Sequence, residues 1–191
     1  MSAEPGHVDP LWSRVLAGDA DAFGLVFDAH KDRVYGHAVR LVEDPHQAED
    51  VTALAFLELW RRRDQARVVS GTVLPWLLVT TTNVARNQRR AARRYRRFLA
   101  ALPRAATVPA ADVASVMLDL TPALREALTS LRGPDLHLLV LIAIEDYAVA
   151  DAAQALGISE AAAKSRMHRI RHRVRDSLGV VPTDDPLWRT R

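Results

Sequence analysis

Two runs of basic side chains are the residues of this sequence best suited to bind a polyanion. Residues 86–97 contain seven arginines and no acid, and residues 164–175 contain five arginines, one lysine and two histidines. Guanidinium groups bind phosphates through paired hydrogen bonds. Because the runs are far apart in the sequence and both lie in segments with helical periodicity, we predict two separate basic helices that contact a polyanion.

The second run lies in a segment, Val149–Leu178, that has the pattern of a helix-turn-helix. Ala153 is small where two helices must cross closely, Gly157 suits a turn that needs positive φ, and Ser159 suits an N-cap. A buried stripe is predicted at Ala163, Met167, Ile170, Val174 and Leu178. The other side of the second helix is predicted to enter the major groove with Ala161, Lys164, Ser165, Arg166, His168, Arg169 and His172.

Two other interpretations of this segment are weaker. A basic amphipathic helix that only covers a core would show the same stripe, but not the turn glycine and the cap together. His168 and His172, four residues apart, could hold a metal, yet no third ligand is evident and phosphate or solvent contact is favoured.

The sequence also lacks a phosphate-binding glycine loop and a Ser/His/Asp arrangement. We therefore expect no metal, no cofactor and no enzymatic activity.

The composition is that of a folded protein without disulfides. Of the 191 residues, 49% are hydrophobic and none is cysteine, which excludes disulfides, thiol nucleophiles and Cys-based zinc sites and favours the cytosol. The first residues do not resemble a secretion leader, and no apolar run approaches the roughly 18–20 residues that cross a bilayer. The sequence predicts a soluble, cytoplasmic protein.

Helical periodicity dominates, and no segment alternates convincingly with a period of two. We predict an all-α protein: two small helical domains joined by a flexible linker, the C-terminal one a helix-turn-helix. The first domain spans residues 19–99, after an N-terminal extension of residues 1–18. Residues 100–118, with two prolines and little bulk, form the linker. The second domain spans residues 119–178, and residues 179–191 form a C-terminal tail.

Apolar stripes and helix-starting prolines define the individual helices. The residues predicted to face inward are Phe23, Val26, Phe27, Val34, Ala38 and Leu41 on the first helix and Val51, Leu54, Ala55, Leu59 and Trp60 on the second. Trp76 fits the core better than a base-stacking platform, and residues 68–72 predict a loop. The predicted helices are approximately Asp21–Val42, Gln47–Asp64, Pro75–Leu99, Pro122–Leu131, Pro134–Glu145, Val149–Leu156 and Glu160–Leu178.

Several stretches resemble the extracytoplasmic-function sigma factors of bacterial RNA polymerase, which belong to the sigma-70 family. In the C-terminal segment the similar residues are Gly157-Ile158-Ser159 and Ala163-Lys164-Ser165-Arg166-Met167-His168-Arg169. In the first domain they are Asp21-Ala22-Phe23, His30, Val34-Tyr35, Ala38, Arg40, Glu49-Asp50-Val51, Phe56-Leu57-Glu58-Leu59-Trp60, Trp76-Leu77, Asn83 and Asn87-Gln88-Arg89-Arg90. The resemblance covers about Asp19–Leu178, with both motif sets in the family's order.

The resemblance implies a sigma factor that binds core RNA polymerase, through its β and β′ subunits, and recognises promoter DNA. The first domain would correspond to sigma region 2 and the second to sigma region 4, which reads the −35 element. The loop Val68–Val73, with Asn83 and Asn87, would capture a base flipped from the melted −10 element. The implied −10 residues are Asn83, Arg86, Asn87, Arg89, Arg90 and Arg93. The implied polymerase interface is Asp50, Leu54, Leu57, Glu58 and Arg61.

The sequence departs from the family pattern at two places that affect recognition. Ala53-Leu54 stands where a polar pair is usual, and Ala161-Ala162 replaces the commoner Gly-Thr start of the reading helix. The promoter sequence is therefore not predicted, and an anti-sigma partner is left open. A stand-alone helix-turn-helix regulator would explain the C-terminal segment, but not the arginine-rich third helix with Asn83 and Asn87. An inactive sigma-like protein that titrates a partner is the remaining alternative.

Overall fold

The computed structural model describes residues 10–42, 44–100, 131 and 133–178. These residues form helices and one isolated antiparallel bridge, with no β-sheet among them. The prediction of an all-α protein is confirmed. The chain divides into two compact units, Met1–Val116 and Met117–Arg191.

The described part of the first unit contains α1 (Pro10–Leu16), α2 (Ala20–Val39), α3 (Pro45–Arg61) and α4 (Leu74–Ala100). In the second unit, α5 (Gly133–Leu139) continues into a π-helical segment (Val140–Ile144) and is followed by α6 (Val149–Leu156) and α7 (Glu160–Leu178). The bounds of α6 and α7 are those predicted from the sequence. Within the described ranges, the others differ by a few residues, as is usual for helix ends.

The starts of α2 and α3 follow from their capping residues. Asp19 precedes α2, and its Oδ1 accepts a hydrogen bond of 3.0 Å from the backbone N–H of Ala22. That bond, and then the Arg14 side chain 2.8 Å away, lower the pKa of the Asp19 carboxyl. Asp44 caps α3 in the same way, with Pro45 in the first turn, where its missing N–H costs nothing. The helix therefore begins at Pro45 rather than at Gln47.

Helix α1 lies within the stretch that the sequence analysis assigned to an N-terminal extension. Its Trp12 and Val15 are buried, with 5% and 0% of their surfaces exposed, and the helix packs on α2. Seven residues contain too few apolar repeats to show a helical period, which is why the sequence did not reveal it. The extension thus contributes to the core of the first unit.

Small side chains let α2, α3 and α4 approach closely in the first unit. Ala38, Ala48, Val51 and Ala85 form a buried cluster with Val42. Because alanine extends little beyond the backbone, the three helices meet with few voids, as protein interiors require. This cluster holds the end of α2, the start of α3 and the middle of α4 together.

Aromatic side chains fill the other end of the α2–α3 interface. The rings of Phe23 and Trp60 lie 5.0 Å apart, and those of Phe27 and Phe56 lie 4.7 Å apart, both inclined by about 60°. Such edge-to-face pairs add roughly 0.5–1.5 kcal/mol to the burial of the rings. Arg63 covers the ring of Trp60 from outside, at 4.7 Å.

One buried polar contact joins α2 to α4. The Nε2 atom of His37 lies 2.9 Å from Oγ1 of Thr82, and both side chains are almost fully buried. The Thr82 hydroxyl donates its single proton to the carbonyl of Leu78, at 3.0 Å, so its oxygen accepts from the N–H of His37. The sequence analysis did not identify this pair, because nothing local in the sequence indicates which polar residues are buried.

The packing corrects two of the predicted inward residues. Leu54 is 39% exposed and Phe27 is 37% exposed. The buried side of α3 is set by α2 and α4 together, and it includes Thr52 and Phe56 while Leu54 lies opposite. Phe27 stands at the rim of the α2–α3 interface. Trp76 is half-buried, so its role stays a prediction.

In the second unit, a left-handed glycine joins the two helices of the helix-turn-helix. Gly157 has φ +66° and ends α6, and the N–H of Ile158 donates to the carbonyl of Ala153 at 3.0 Å. Ser159 then accepts from the N–H of Ala162 at 3.2 Å, as an N-cap does. Both roles predicted from the sequence are confirmed.

Before α6 the chain departs from the predicted helix Pro134–Glu145. The helix widens to π geometry over Val140–Ile144, and the N–H of Tyr147 reaches back to the carbonyl of Leu141 at 2.9 Å. Asp146 then adopts φ +56°, a left-handed conformation that is uncommon for residues other than glycine. These two local deformations redirect the chain into α6.

Several predictions concern residues outside the described ranges. They are the part of the N-terminal extension before Pro10, the linker after Ala100, residues 122–130 of the predicted helix Pro122–Leu131, and the tail 179–191.

Replacing Gly157 by alanine should destabilise the chain by about 1–2 kcal/mol, since a Cβ in the left-handed region clashes with the backbone. The control is Gly24→Ala in α2, where an added Cβ meets nothing within 4 Å. That change should stabilise the chain by about 0.5–1 kcal/mol. Denaturant unfolding of the full chain, followed by circular dichroism, measures both. Stabilisation by Gly157→Ala would contradict the assigned backbone role.

Candidate nucleic-acid interface

Helix α4 is supported over its first half only. Leu77, Leu78 and Ala85 are buried, whereas every residue from Ala91 to Leu99 is exposed. With 27 residues and a rise of 1.5 Å each, α4 is about 40 Å long. The arginine run therefore lies on the part of the helix that extends beyond the core of the first unit.

The amides and arginines of α4 occupy one side of the helix. Asn83, Asn87, Arg90 and Arg94 are spaced by four, three and four residues and are all exposed. This spacing places them in line along the helix axis. Amide side chains can hydrogen-bond base edges and guanidinium groups can hold phosphates, so the line is chemically suited to a nucleic-acid strand.

Like charges crowd at the start of this line. Arg86 is half-buried, and burial, followed by the charges of Arg90 and Arg89, lowers the pKa of its guanidinium group. The group remains charged at neutral pH, because arginine titrates far above it. A phosphate placed here would relieve the mutual repulsion of the three guanidinium groups. Of the other −10 residues implied by the sequence, Arg93 is exposed.

The predicted capture loop is a tight turn that is attached to α2 and α4. Val69 and Thr72 exchange two backbone hydrogen bonds of 2.9 and 3.0 Å, and the two residues between them, Ser70 and Gly71, both have positive φ. Oγ1 of Thr72 accepts from the N–H of Leu74 at 3.1 Å and lies 3.3 Å from Nε2 of His30. The turn is thus held rigidly while Ser70 and Gly71 remain exposed.

The turn lies just before the start of α4, whereas the two asparagines lie further along the helix axis. Asn83 follows Leu74 by nine residues, which corresponds to about 14 Å of helix. Stacked bases repeat every 3.4 Å along a strand, so this interval spans about four of them. A strand that contacts both the turn and the asparagines would have to run along α4.

His30 was noted in the sequence only as a residue similar to the family, without a role. Its imidazole is partly buried beside Thr72, and this burial lowers its pKa. His30 therefore stays neutral at neutral pH and contributes a hydrogen-bonding group, not a charge, to the base of the turn.

Helix α7 presents the second candidate surface. Its buried side contains Ala163, Met167 and Ile170. Opposite them, the structure exposes Ala161, Lys164, Ser165, His168, Arg169 and His172. The small residues stand near the start of the helix, where a recognition helix approaches the bases most closely.

Three of the predicted α7 residues have partners within the chain. Arg166 is half-buried and lies 3.7 Å from Asp135 of α5, so it ties α7 to the helix behind it. Lys164 pairs with Glu160 at 2.6 Å, and His172 with Asp176 at 2.7 Å. The last two pairs are exposed, so breaking either costs at most about 1 kcal/mol. Arg166, in contrast, would have to break a contact between two helices to reach DNA. Arg169 is the exposed guanidinium group nearest the small residues.

The exposed side of α3 is a third surface, with mixed chemistry. Asp50, Leu54, Leu57 and Arg61 recur at intervals of four, three and four residues, and all four are exposed. Glu58 flanks this stripe and pairs with Arg62 at 3.0 Å and with Arg61 at 3.7 Å. Two exposed leucines framed by charges are more typical of a protein interface than of a nucleic-acid interface.

Other kinds of site find little support in the described ranges. No group of three histidine, aspartate or glutamate side chains comes together there as a metal site would require. Nor does any helix in those ranges have the length and apolar character needed to cross a membrane.

Comparison with known families matches both units. Residues 26–95 match the model of sigma-70 region 2, and residues 120–174 match that of sigma-70 region 4. The RNA polymerase sigma factor CarQ of Myxococcus xanthus is 34% identical over 173 residues, which cover 88% of this chain and 95% of CarQ. The extracytoplasmic-function sigma factor SigK of Mycobacterium sp. (strain KMS) is 27% identical over 179 residues, 91% of each chain.

Two solved structures show the same fold. One is the sigma factor RpoE of Bartonella quintana in complex with the anti-sigma factor NepR, with a TM-score of 0.50, 22% identity, and coverage of 84% of this chain and 98% of that one. The other is CnrH in complex with the cytosolic domain of CnrY, with the same TM-score and identity, and coverage of 88% and 95%.

The match to region 2 removes the alternative of a stand-alone helix-turn-helix regulator, since it accounts for the first unit as well as the second. The chain belongs to the sigma-70 family, and within it to the extracytoplasmic-function sigma factors, which are not enzymes but RNA polymerase subunits that direct promoter-specific transcription initiation.

Proposed function

We propose that this sigma factor works through three surfaces. The exposed stripe of α3 docks on core polymerase, α4 and the turn before it hold the −10 element as it melts, and α7 reads the −35 element as duplex. The observation that carries the proposal is the presence of two basic helix faces on separate compact units, each with its own polar or small residues among the arginines.

On α4, different residues bind the phosphates and recognise the bases. The arginines bind phosphates irrespective of sequence, and Asn83 and Asn87 contact base edges. The turn at Ser70 and Gly71 receives a base taken out of the stack, which costs a few kcal/mol that contacts in the turn must offset. A rigid turn suits this task, because little conformational freedom is lost when the base binds.

On α7, the small residues Ala161 and Ser165 allow the helix to approach the bases, and Arg169 reaches a base edge beside them. A bidentate contact of arginine with guanine is the commonest specific contact in the major groove. Lys164 and His172 exchange their exposed carboxylate partners for phosphates. Arg166 acts mainly in holding α7 on α5, in contrast to the direct DNA contact predicted from its position on the helix.

The polymerase interface is proposed on Asp50, Leu54, Leu57, Glu58 and Arg61. The two leucines supply apolar area that is otherwise exposed, and the charges around them orient the contact. The partner is core polymerase through its β and β′ subunits, in the cytoplasm. Because the RpoE and CnrH structures were solved in complexes, we extend the proposal to an anti-sigma factor as a further partner.

Reconstitution with core RNA polymerase tests the proposal directly. The full chain should form a holoenzyme that initiates from a defined subset of a genomic promoter library, whereas core polymerase alone should not. Transcript sequencing gives the start sites and the shared promoter elements. Polymerase binding without promoter-specific initiation would support the inactive, titrating protein instead.

Replacing Arg89 and Arg90 together by alanine should weaken promoter binding by the holoenzyme and flatten its salt dependence. Each lost phosphate contact lowers the slope of log K against log salt by about 0.7 for single strands and 0.9 for duplex. The control replaces two exposed arginines outside α4, Arg33 of α2 and Arg40 at its C-terminal cap, and should leave the slope unchanged. Equal slopes for the α4 variant and wild type would show that its arginines only face solvent.

Replacing Arg169 by alanine should cost about 1–3 kcal/mol at promoters that depend on the −35 element and relax discrimination at one base pair. Binding to core polymerase should stay unchanged, because the proposed docking surface is on α3. Arg175→Ala, on the same helix but far from its start, should weaken all promoters alike. Binding assays across single-base variants of the −35 element measure these effects. Loss of polymerase affinity in the Arg169 variant would argue against a role of Arg169 in reading the −35 element.

A further inference from the structure

The end of α4 has an apolar side that nothing in the described chain covers. We call residues 91–99 of α4 the overhang; all of them are exposed. Its large apolar side chains are unusually open to solvent: Tyr95 is 63%, Phe98 61% and Leu99 46% exposed. Exposed apolar side chains grouped on one helix face are typical of a binding surface, whereas scattered ones need no explanation.

The overhang is two-sided. At 100° per residue its apolar residues fall together on one arc, and its four arginines fall on the remainder. The apolar arc consists of Ala91, Ala92, Tyr95, Phe98 and Leu99, and the arginines are Arg93, Arg94, Arg96 and Arg97. The side with the aromatic residues therefore differs from the side proposed to hold promoter phosphates.

The apolar arc continues the stripe by which α4 packs on α2 and α3. The stripe runs through Leu77, Thr81 and Val84, passes the half-buried Gln88 and reaches Ala91 and Tyr95. Its first part is buried, and it continues for about 20 Å beyond Ala85, the last buried residue of α4. A stripe with this spacing fits another helix, as the same stripe does in the core.

Charge indicates what kind of helix fits. Helix α4 contains no acidic residue, and Arg94 and Arg96 border the apolar arc on its two sides. In paired helices, charged residues beside the apolar seam determine which partner binds. Arginines on one helix favour a partner with carboxylates at the facing positions, because the two form interhelical salt bridges. A complementary helix has an apolar stripe with glutamates or aspartates at its edges.

Two other occupants fit the surface less well. Nucleic acid pairs with the arginine side and leaves the apolar arc exposed. A second copy of this chain would bring arginines against arginines.

We propose that the apolar arc of the overhang is a docking surface for an acidic amphipathic helix of a partner protein. A helix seated there lies beside the arginines of α4 and draws their charge away from phosphate. Docking would therefore oppose DNA binding at the same helix. Only this last consequence rests on the proposed function; the docking itself does not.

The test uses the full chain and a labelled synthetic peptide, with leucine at the seam positions of two or three heptads and glutamate at the flanking ones. Fluorescence anisotropy should show saturable binding that weakens at least tenfold when Tyr95 and Phe98 are both replaced by glutamine, which preserves helix propensity. Leu25→Gln, at an equally exposed leucine of α2, is the matched control and should bind as wild type does. A lysine version of the peptide should not bind.

Three outcomes would overturn the proposal. Equally tight binding of a glutamate peptide with serines in place of its leucines would show charge attraction alone. A loss of single-stranded DNA affinity in the Tyr95/Phe98 variant as strong as its loss of peptide affinity would show a base-stacking surface. A wild-type dimer in sedimentation that the variant abolishes would show a second copy as the occupant. If the peptide binds but the DNA affinity of the peptide-bound chain is unchanged, the docking is established and the proposed DNA role of α4 is contradicted.

Discussion

The buried contact between His37 of α2 and Thr82 of α4 constrains the rest of the first unit, because it allows only one rotation of α4 about its axis. A rotation of α4 would leave a buried imidazole without this partner, at a cost of about 1–3 kcal/mol. Thr82 directly precedes Asn83, so the side on which Asn83, Asn87 and Arg90 are exposed follows from this contact. The small-residue cluster around Ala38 and Ala85 fixes the height of α4 in the same way.

The two DNA surfaces differ in how their charges are balanced. Helix α4 contains no acid, and burial, followed by the charges of Arg90 and Arg89, lowers the pKa of the Arg86 guanidinium group. Helix α7 contains Glu160 and Asp176, and both pair with basic residues of the predicted reading face. A helix without acids suits sequence-independent binding of a phosphate backbone, whereas a partly neutralised basic face leaves more of the discrimination to shape and to a few contacts. The proposed division into holding on α4 and reading on α7 follows this difference.

Both DNA surfaces depend on unusual backbone conformations as well as on their side chains. The turn before α4 depends on positive φ at Ser70 and Gly71, and the helix-turn-helix depends on it at Gly157. The π-helical segment and Asp146 add a third deformation just before α6. Each of these places redirects the chain within a few residues, so a helix can begin at a definite angle.

The sequence by itself determined α2, α3, α4, α6 and α7 to within a few residues, the turn glycine, the Ser159 cap, most of the exposed face of α7 and the family, because these depend on residues near one another in the chain. A helical period, a left-handed glycine and a run of arginines can each be recognised locally. Only the tertiary structure decided that Leu54 faces solvent, that His37 and Thr82 form a buried pair, that Arg166 ties α7 to α5, and that α1 belongs to the core. It also decided that residues 91–99 of α4 are exposed. Burial on α3 is set by two neighbouring helices at once, and an ion pair or hydrogen bond between helices needs a partner that the local sequence does not name.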